Sequence, residues 1–516
     1  MRLETSLFAQ AMQRPDKLAL VADGQRLSYA QLAHRVRRLA AGFEAHGIQP
    51  GDRVLILLDN GIDAVCCFFA LWAVGAIPCP LHPTVKAEKL GQIAASTEPF
   101  AIIGLARQRE AMQAARQTAG LRCALIVAGG QERPPGTLLD LNELLSDDVH
   151  DEAVGGRKES ELALVIHTSG STGTPKGVML THANVDFTCR AIVDYLGNSC
   201  EDVILSVLPL SFGYGMTQMV TAFMVGATLV LEKSFAYPRV ILKTLGEEKV
   251  TGLPLVPAMA GMLTGMSDLQ PGFLPHLRYV TSAAAALPPA VADRLQSLLP
   301  SAKLFIMYGQ TECIRATYLD PAERAARPLS VGKPLPGTGA DILDEAGNPL
   351  PAGAVGELAL RGPHVMVGYW QQEALTAGAL ETTADGPRYR TGDLFRADQD
   401  GFLYFIARKD DIIKTRGEKV SPQEVERVLH AHDGVLEAAV EGVDDALFGQ
   451  VIKAHVVLRT GFALSPRELL RHCADHLEDY MIPKFIEFHE ALPRTTSGKI
   501  RLSLLNETAS AQEQVA

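Results

Sequence analysis

Positive charge is scarce in this 516-residue chain: 48 Lys and Arg stand against 59 Asp and Glu, a formal charge of -11. Surfaces that bind nucleic acid need cations to neutralise phosphates, so no nucleic-acid partner is expected. Long apolar runs are missing too. No stretch approaches the roughly 20 residues of a membrane-spanning helix, and integral membrane contact is not expected. The start, Met1-Arg2-Leu3-Glu4-Thr5, has no basic segment followed by an apolar run, so it does not read as a signal peptide. Cysteine pairs at CxxC spacing are absent as well. The eight cysteines, at 66, 67, 79, 123, 189, 200, 313 and 473, sit partly in apolar runs such as Ala64-Val65-Cys66-Cys67-Phe68-Phe69. They read as reduced core residues of a cytoplasmic protein. No internal repeat is visible.

The remaining composition is that of a globular protein, with 47% hydrophobic and 21% charged residues, enough for a sizeable core. The length exceeds what one core usually supports, which favours a large domain and at least one smaller one. Residues 27–80 alternate a helical pattern (Tyr29 to His46), a strand (Arg53 to Leu58) and an apolar helix (Ala64 to Val74). That α/β rhythm continues with strands near 100–104, 124–128, 162–167, 203–207, 228–232, 278–281 and 303–307. From about 330 to 406, frequent Gly and Pro with short alternating segments predict a smaller β lobe. After a charge-dense Arg408-Lys409-Asp410-Asp411 comes a new helix–strand–helix–strand series at 421–431, 435–443, 451–458 and 465–477. The expected division is therefore a domain over 1–407, a hinge at 408–411 and a small α/β domain over 412–516.

The segment Thr168-Ser169-Gly170-Ser171-Thr172-Gly173-Thr174-Pro175-Lys176-Gly177 follows an apolar strand and precedes a helix-like run from Thr181. Glycines permit close backbone approach, hydroxyls donate hydrogen bonds and Lys176 adds charge, which suits the oxygens of a polyphosphate. The common P-loop is disfavoured, because no Gly-Lys-Ser/Thr stands at the required spacing. Alone, the segment would also suit a flexible surface turn.

It does not stand alone. The run resembles the signature loop of the adenylate-forming superfamily: acyl-CoA synthetases, adenylation domains of nonribosomal peptide synthetases, and firefly-type luciferases. Four further segments match that family in order: Tyr308-Gly309-Gln310-Thr311-Glu312, Tyr389-Arg390-Thr391-Gly392-Asp393, Arg408-Lys409-Asp410 with Ile413-Lys414-Thr415-Arg416-Gly417, and Pro493-Arg494-Thr495-Thr496-Ser497-Gly498-Lys499. The resemblance spans residues from about 20 to 503.

That resemblance implies an α/β fold, a large N-terminal domain of layered subdomains and β lobe followed by a small mobile domain. It also implies ATP-dependent, AMP-forming ligation of a carboxylic acid to a thiol. A carboxylate must first attack the α-phosphate of ATP to become a mixed anhydride, so two anions have to meet. By resemblance, the loop residues Thr168, Ser169, Gly170, Ser171, Thr172, Gly173 and Lys176 hold phosphate, and Glu312 helps hold Mg2+. Thr311 touches the α-phosphate and Tyr308 lies against adenine. Asp393, assisted by Arg408, accepts from the ribose hydroxyls; taken alone it would equally suit a turn cap after Gly392. Lys499 bridges carboxylate and α-phosphate, Asp410 is the hinge, and Gly417 belongs to the thiol tunnel. Without the family, Ser497-Gly498-Lys499 would be an ordinary basic turn.

Leu208-Pro209-Leu210-Ser211-Phe212-Gly213-Tyr214-Gly215 fits the family's acyl-site motif with a departure. Amino-acid-activating members often have Asp where Gly213 stands, to pair with the α-ammonium group, and burying an ammonium unpaired is costly. A fatty or aryl acid is expected. Ala283 and Ala284 replace a glycine-richer stretch and would narrow the pocket. Met216, Met219, Val256, Met259 and Met262 suit either that pocket or the core. His472, Cys473 and His476 read as a solvated helix face, with no zinc expected. The leading thiol is coenzyme A; the alternative is the phosphopantetheine of an acyl or peptidyl carrier protein. A noncatalytic nucleotide-binding regulator is disfavoured by the intact set of Lys499, Glu312 and Asp393. A luciferase-like oxygenase is disfavoured because Glu513-Gln514-Val515-Ala516 is not the peroxisomal tripeptide often seen with such enzymes.

Overall fold

The computed structural model describes residues 1–129, 138–147, 158–169, 175–384, 386–415, 418–445, 449–494 and 500–502. The expected α/β strands fall in two mainly parallel sheets, except Leu162–Ser169, which joins a third, antiparallel one. A nine-stranded sheet has six consecutive parallel strands, Lys303–Tyr308, Tyr279–Ser282, Gly252–Leu255, Val203–Ser206, Thr228–Leu231 and Leu18–Ala22, with antiparallel strands at both edges. A five-stranded parallel sheet runs Ile77–Pro80, Arg53–Leu57, Ala101–Leu105, Ala124–Ala128, Leu138–Asp140. Parallel strands covered on both faces read as continuous apolar runs, and that is why the sequence shows them.

The helices start where side chains can satisfy their free N–H groups. Ser28 forms a capping box with Gln31 at the head of Tyr29–Ala45, and Thr181 does so with Asn184 at His182–Leu196. The Ile62–Val74 helix is buried all round except at Asp63, so it is a core helix rather than an amphipathic one. Its Cys66 and Cys67 are free and buried; among the described cysteines only Cys200 is part-exposed. Burial pushes the Cys66 thiol up to about 12, so it stays protonated.

The predicted β lobe is an antiparallel sheet of Gly339–Leu343, Val355–Arg361, Gly386–Ala397 and Leu380–Thr383, with Leu403–Arg408 on the long strand's other portion. The elements beyond Asp411 make a sheet of their own, Glu418–Val420, Ile413–Thr415, Gly449–Leu458 and Val435–Asp445 with Phe485–Phe488, over a separate core around Val425, Val456 and Leu469.

One part of the expected order is corrected here. Residues 449–458 form a strand and 466–474 a helix, so the series runs helix, strand, strand, helix. Val451, Val456 and Val457 are β-branched and pair with the 435–445 strand over its full length. Ser465 and Glu468 form a capping box that starts the Pro466–Ala474 helix, whose Leu469 and Cys473 face the core. No helix among the described residues is long and apolar enough to cross a membrane.

Candidate active site

The expected phosphate segment begins and ends on two paired strands. Leu162–Ser169 and Pro175–Thr181 pair antiparallel, with Thr168 opposite Lys176, and the helix begins only at His182. Lys176 therefore stands on a strand, its Nζ 5.7 Å from the centroid of the Tyr369 ring. Gly170, Ser171, Thr172 and Gly173 lie outside the described residues, as does the side chain of Ser169. Tyr369 belongs to a short third strand, Gly368–Tyr369, added to the Pro175–Thr181 edge. Its hydroxyl donates to Glu312 Oε1 at 3.0 Å. Burial, then the Glu312 charge, push the Tyr369 phenol up, so the proton remains on the tyrosine. Tyr369 carries no motif signal and was not anticipated; it links Lys176 to Glu312.

Glu312 and Thr311 ride on the turn after the Lys303–Tyr308 strand. That turn folds back so tightly that a Cβ on Gly309 would stand 2.5 Å from the Ile314 carbonyl oxygen, which requires glycine there. Ala316 N–H donates to Tyr308 O at 2.9 Å to close it, and Met366 N–H donates to Glu312 O at 2.8 Å.

Asp393 gathers the other motif residues. It is 3% exposed on the long strand of the β lobe. Its Oδ2 accepts from Tyr308 OH and from Gln310 Nε2, both at 2.7 Å. Tyr389 OH in turn donates to Gln310 Oε1 at 2.6 Å, which fixes the amide's orientation. Arg408 is the cross-strand partner of Asp393, with Nε 3.5 Å from Oδ1 and half of its side chain exposed. Burial and the charge of Asp393 push the Tyr308 phenol well above its ordinary value, so Tyr308 is the donor. The ring of Tyr308 packs edge-on against Phe395 at 4.8 Å.

Glu357, also without a motif signal, holds the neighbouring backbone. It accepts from Gly392 N–H at 3.1 Å and from Arg390 Nη2 at 2.5 Å, with Lys409 Nζ at 3.4 Å. Burial disfavours its charged form, but the Arg390 hydrogen bond and the nearby cations outweigh that and hold its carboxyl below the ordinary range.

The residues expected at the acyl end adjoin this cluster. Phe212 caps the Gly213–Val225 helix and stacks on His82 at 6.0 Å. A Cβ on Gly213 would meet only Ile314 Cγ2, at 3.7 Å, so a side chain there is sterically allowed. Tyr214 OH shares a 2.7 Å hydrogen bond with Thr281 Oγ1. Ala283 is buried in the cluster that includes Tyr214, and Ala284 sits at φ 76, in the left-handed region. Met216 and Met219 are buried in the main core, Met259 packs on the core of the nine-stranded sheet, and Met262 is 44% exposed. Arg315, three residues beyond the motif ending at Glu312, was missed; it is buried beside Tyr214.

At the expected hinge, Asp410 is exposed in the turn after the Leu403–Arg408 strand, while Gly417 and Lys499 lie outside the described residues. Arg501 N–H donates to Pro493 O at 2.8 Å, and Arg494 Nη2 to Glu437 Oε1 at 2.7 Å. Cys473 is buried, and the His472 and His476 rings bond to the Val428 and His472 carbonyls. A different histidine pair, His455 and His489, shares a 2.9 Å hydrogen bond with Glu441 on the other side of His455. Two surface clefts of about 410 and 490 Å3, lined in part by Asp23 and Lys233, contain none of the motif residues.

The sequence pattern of the AMP-binding enzyme family matches residues 7–370, and that of the AMP-binding enzyme C-terminal domain matches 424–499. Feruloyl-CoA synthase of an Amycolatopsis species is 33% identical over 495 residues, covering 95% of this chain and 96% of its own. Pyochelin synthase PchD of Pseudomonas aeruginosa (strain UCBPP-PA14) is 32% identical over 520 residues, covering 97% and 91%. The solved structure of the anthranilate CoA ligase AuaEII with anthranoyl-AMP superposes with a TM-score of 0.90 at 25% identity, covering 100% of this chain and 98% of that one.

Proposed function

The chain belongs to the AMP-binding enzyme family and is an AMP-forming acyl-CoA ligase, and from that premise we propose that its substrate is a carboxylic acid without an α-ammonium group, joined to coenzyme A in two steps. In the first, a carboxylate oxygen forms a bond to the α-phosphorus of ATP and pyrophosphate leaves. In the second, the thiol sulfur attacks the acyl carbonyl and AMP leaves.

The observation that carries this reading is the convergence of Tyr308, Gln310 and Arg408 on the buried carboxylate of Asp393, across motifs far apart in the chain. A carboxylate so oriented suits the vicinal hydroxyls of a ribose. Lys176 supplies positive charge on the strand that follows the phosphate segment, and preorganised charge of this kind stabilises the charge built in transfer. Glu312 is a fitting ligand for Mg2+, since hard cations take carboxylate oxygens. The ion would offset phosphate charge. The roles of Thr311 and of the loop residues Thr168 to Gly173 follow the family resemblance, as does that of Lys499.

The restriction on the acid is supported from two sides. Gly213 offers no carboxylate to an ammonium group, and Arg315 sets a cation beside the same corner. Fatty and aryl acids meet neither obstacle. The similarity to PchD favours a second reading for the acceptor, the phosphopantetheine arm of a carrier protein, which presents the same thiol. Pyrophosphate exchange across fatty, aryl and α-amino acids, followed by thioester formation with coenzyme A, tests both points. An α-amino acid as the best substrate would overturn the restriction. Exchange without any coenzyme A thioester would favour the carrier protein.

A further inference from the structure

Arg315 has so far served only as a cation unfavourable to an ammonium group, and its own setting is unusual for a charged residue. Its side chain is 2% exposed, among the largest fully buried in the protein. Among the described residues no carboxylate stands within ion-pair distance of it, and its Nε has no hydrogen-bond partner. The guanidinium carbon lies 5.1 Å from the centroid of the Tyr214 ring. Its guanidinium also hydrogen-bonds the Tyr195 hydroxyl, and its charge reaches Cys189 and Cys313. Burial pushes Tyr195 and Cys313 each up to about 12 and raises Cys189 and Tyr214 as well, so none of the four supplies a negative charge.

An arginine cannot escape burial by losing its proton. A desolvated cation among neutral groups is costly, and one aromatic face with one neutral hydroxyl recovers only part of that cost. Such a group is best explained by an anion that arrives from outside. The place where one could arrive is specified by its neighbours. Ile314, next in the chain, is the residue facing Gly213, and Tyr214 bonds Thr281, two residues before Ala283. Arg315 is therefore at the acyl end of the site: its backbone packs on the Gly309 turn while its guanidinium lies against Tyr214.

We propose that Arg315 is an anion-recognising residue of the acyl pocket, and that the acid carries a second oxyanion, a carboxylate or sulfonate, besides the carboxylate that is activated. This rests on the ligase reading above and narrows it to dicarboxylic or sulfonated carboxylic acids. The guanidinium suits either oxyanion because its paired N–H donors match two oxygens of one planar or tetrahedral group.

The test is ATP–pyrophosphate exchange with the full chain on acids matched in skeleton: a monocarboxylic acid, its ω-carboxylate, its ω-sulfonate and its neutral ω-amide, in short aliphatic, medium aliphatic and benzoic series. In the best series the wild type should favour an oxyanion-bearing member over its monoacid and amide by about 10²-fold or more in kcat/KM, as expected when a built polar partner would otherwise be left unpaired. Arg315→Met should bring that ratio to within a few-fold of one, and Arg315→Lys should retain part of it. Wild-type preference for monoacids throughout overturns the proposal without reference to any variant. Equal losses on all acids in Arg315→Met and Arg315→Lys, with unchanged melting temperature, also overturn it, because Arg315 would then serve the reacting carboxylate. Absence of exchange with every acid defeats the ligase reading itself, and the proposal with it.

Discussion

The hydroxyl of Tyr308 donates to Asp393 Oδ2 at 2.7 Å, a contact spanning 85 residues that ties the nine-stranded sheet to the β lobe. Tyr308 ends a buried strand and Asp393 lies on the lobe's longest strand, so the bond fixes the position of one sheet against the other at the point where Gln310 also arrives. The tyrosine thus acts through the carboxylate that it orients, whatever else its ring touches.

This arrangement makes unequal demands on the two residues. Asp393→Ala removes the carboxylate itself and should lower pyrophosphate exchange by roughly 10²–10³. Tyr308→Phe removes one of the donors that hold it, and a drop nearer to tenfold is expected, chiefly as a raised KM for ATP. The double variant should be little worse than Asp393→Ala, since residues in one hydrogen-bond network are not additive. Fully additive losses would show that Tyr308 works independently of Asp393.

Glu312 leads to a metal-dependence prediction. Its carboxylate accepts from Tyr369 OH and stands on the same tyrosine whose ring lies under Lys176. Glu312→Gln keeps an acceptor for that hydroxyl but loses the charge that a divalent cation prefers. Exchange measured against magnesium concentration should then saturate several-fold higher, with a lower plateau. A lower plateau at an unchanged magnesium midpoint would remove Glu312 from the metal site.

Much of this was legible in the sequence for physical reasons, and the gaps have reasons too. Parallel strands such as Arg53–Leu57 are apolar on both faces and announce themselves, as does the fully buried Ile62–Val74 helix. The 449–458 and 466–474 elements were interchanged in the expected order, although β-branched residues mark the first and a capping box marks the second. Lys176 was expected on a loop and stands on a strand, because its pairing with the Leu162–Ser169 strand is set by register that glycine spacing does not reveal. Tyr369 and Glu357 escaped because their partners, Glu312 and Arg390, are 57 and 33 residues away. Arg315 escaped because a charged residue just past a motif looks like surface, and only burial shows otherwise.

Glu426 gives the small domain a pH dependence of definite sign. Burial, with some help from the charge of Asp411, raises its carboxyl from 4.5 to about 7, and the Val440 N–H bond only partly offsets this. A carboxyl whose folded value is raised favours the neutral folded form. Its stabilising contribution is full below about 4.5 and is lost as the pH climbs through about 7. Glu426→Gln, which retains an acceptor for Val440, should therefore stabilise the protein at pH 8 by on the order of 1–2 kcal/mol and change little at pH 4.5. Thermal unfolding of wild type and variant at the two values measures it. A gain at low pH instead would reverse the assignment.

The last prediction concerns the two halves of the reaction. By resemblance, Lys499 serves the α-phosphate and Gly417 the thiol tunnel, yet both belong to the segment beyond Asp411, whose described elements share one sheet and one core. We propose that a single placement of that unit does not serve both positions at once. Rotation about Asp410 would resolve the conflict, since a hinge needs only a residue or two to absorb the backbone change, and Asp410 is exposed in a turn directly after the Leu403–Arg408 strand. Lys499→Ala should then abolish adenylation while a supplied acyl-adenylate is still converted to thioester. Gly417→Leu should retain exchange and lose thioester. Asp410→Pro, by fixing φ near −65°, should spare one half-reaction and impair the other. Single-turnover measurements of each half-reaction distinguish the outcomes. Equal damage to both steps by Lys499→Ala and by Gly417→Leu would mean that one closed arrangement performs the whole reaction, and the hinge at Asp410 would have no part in it.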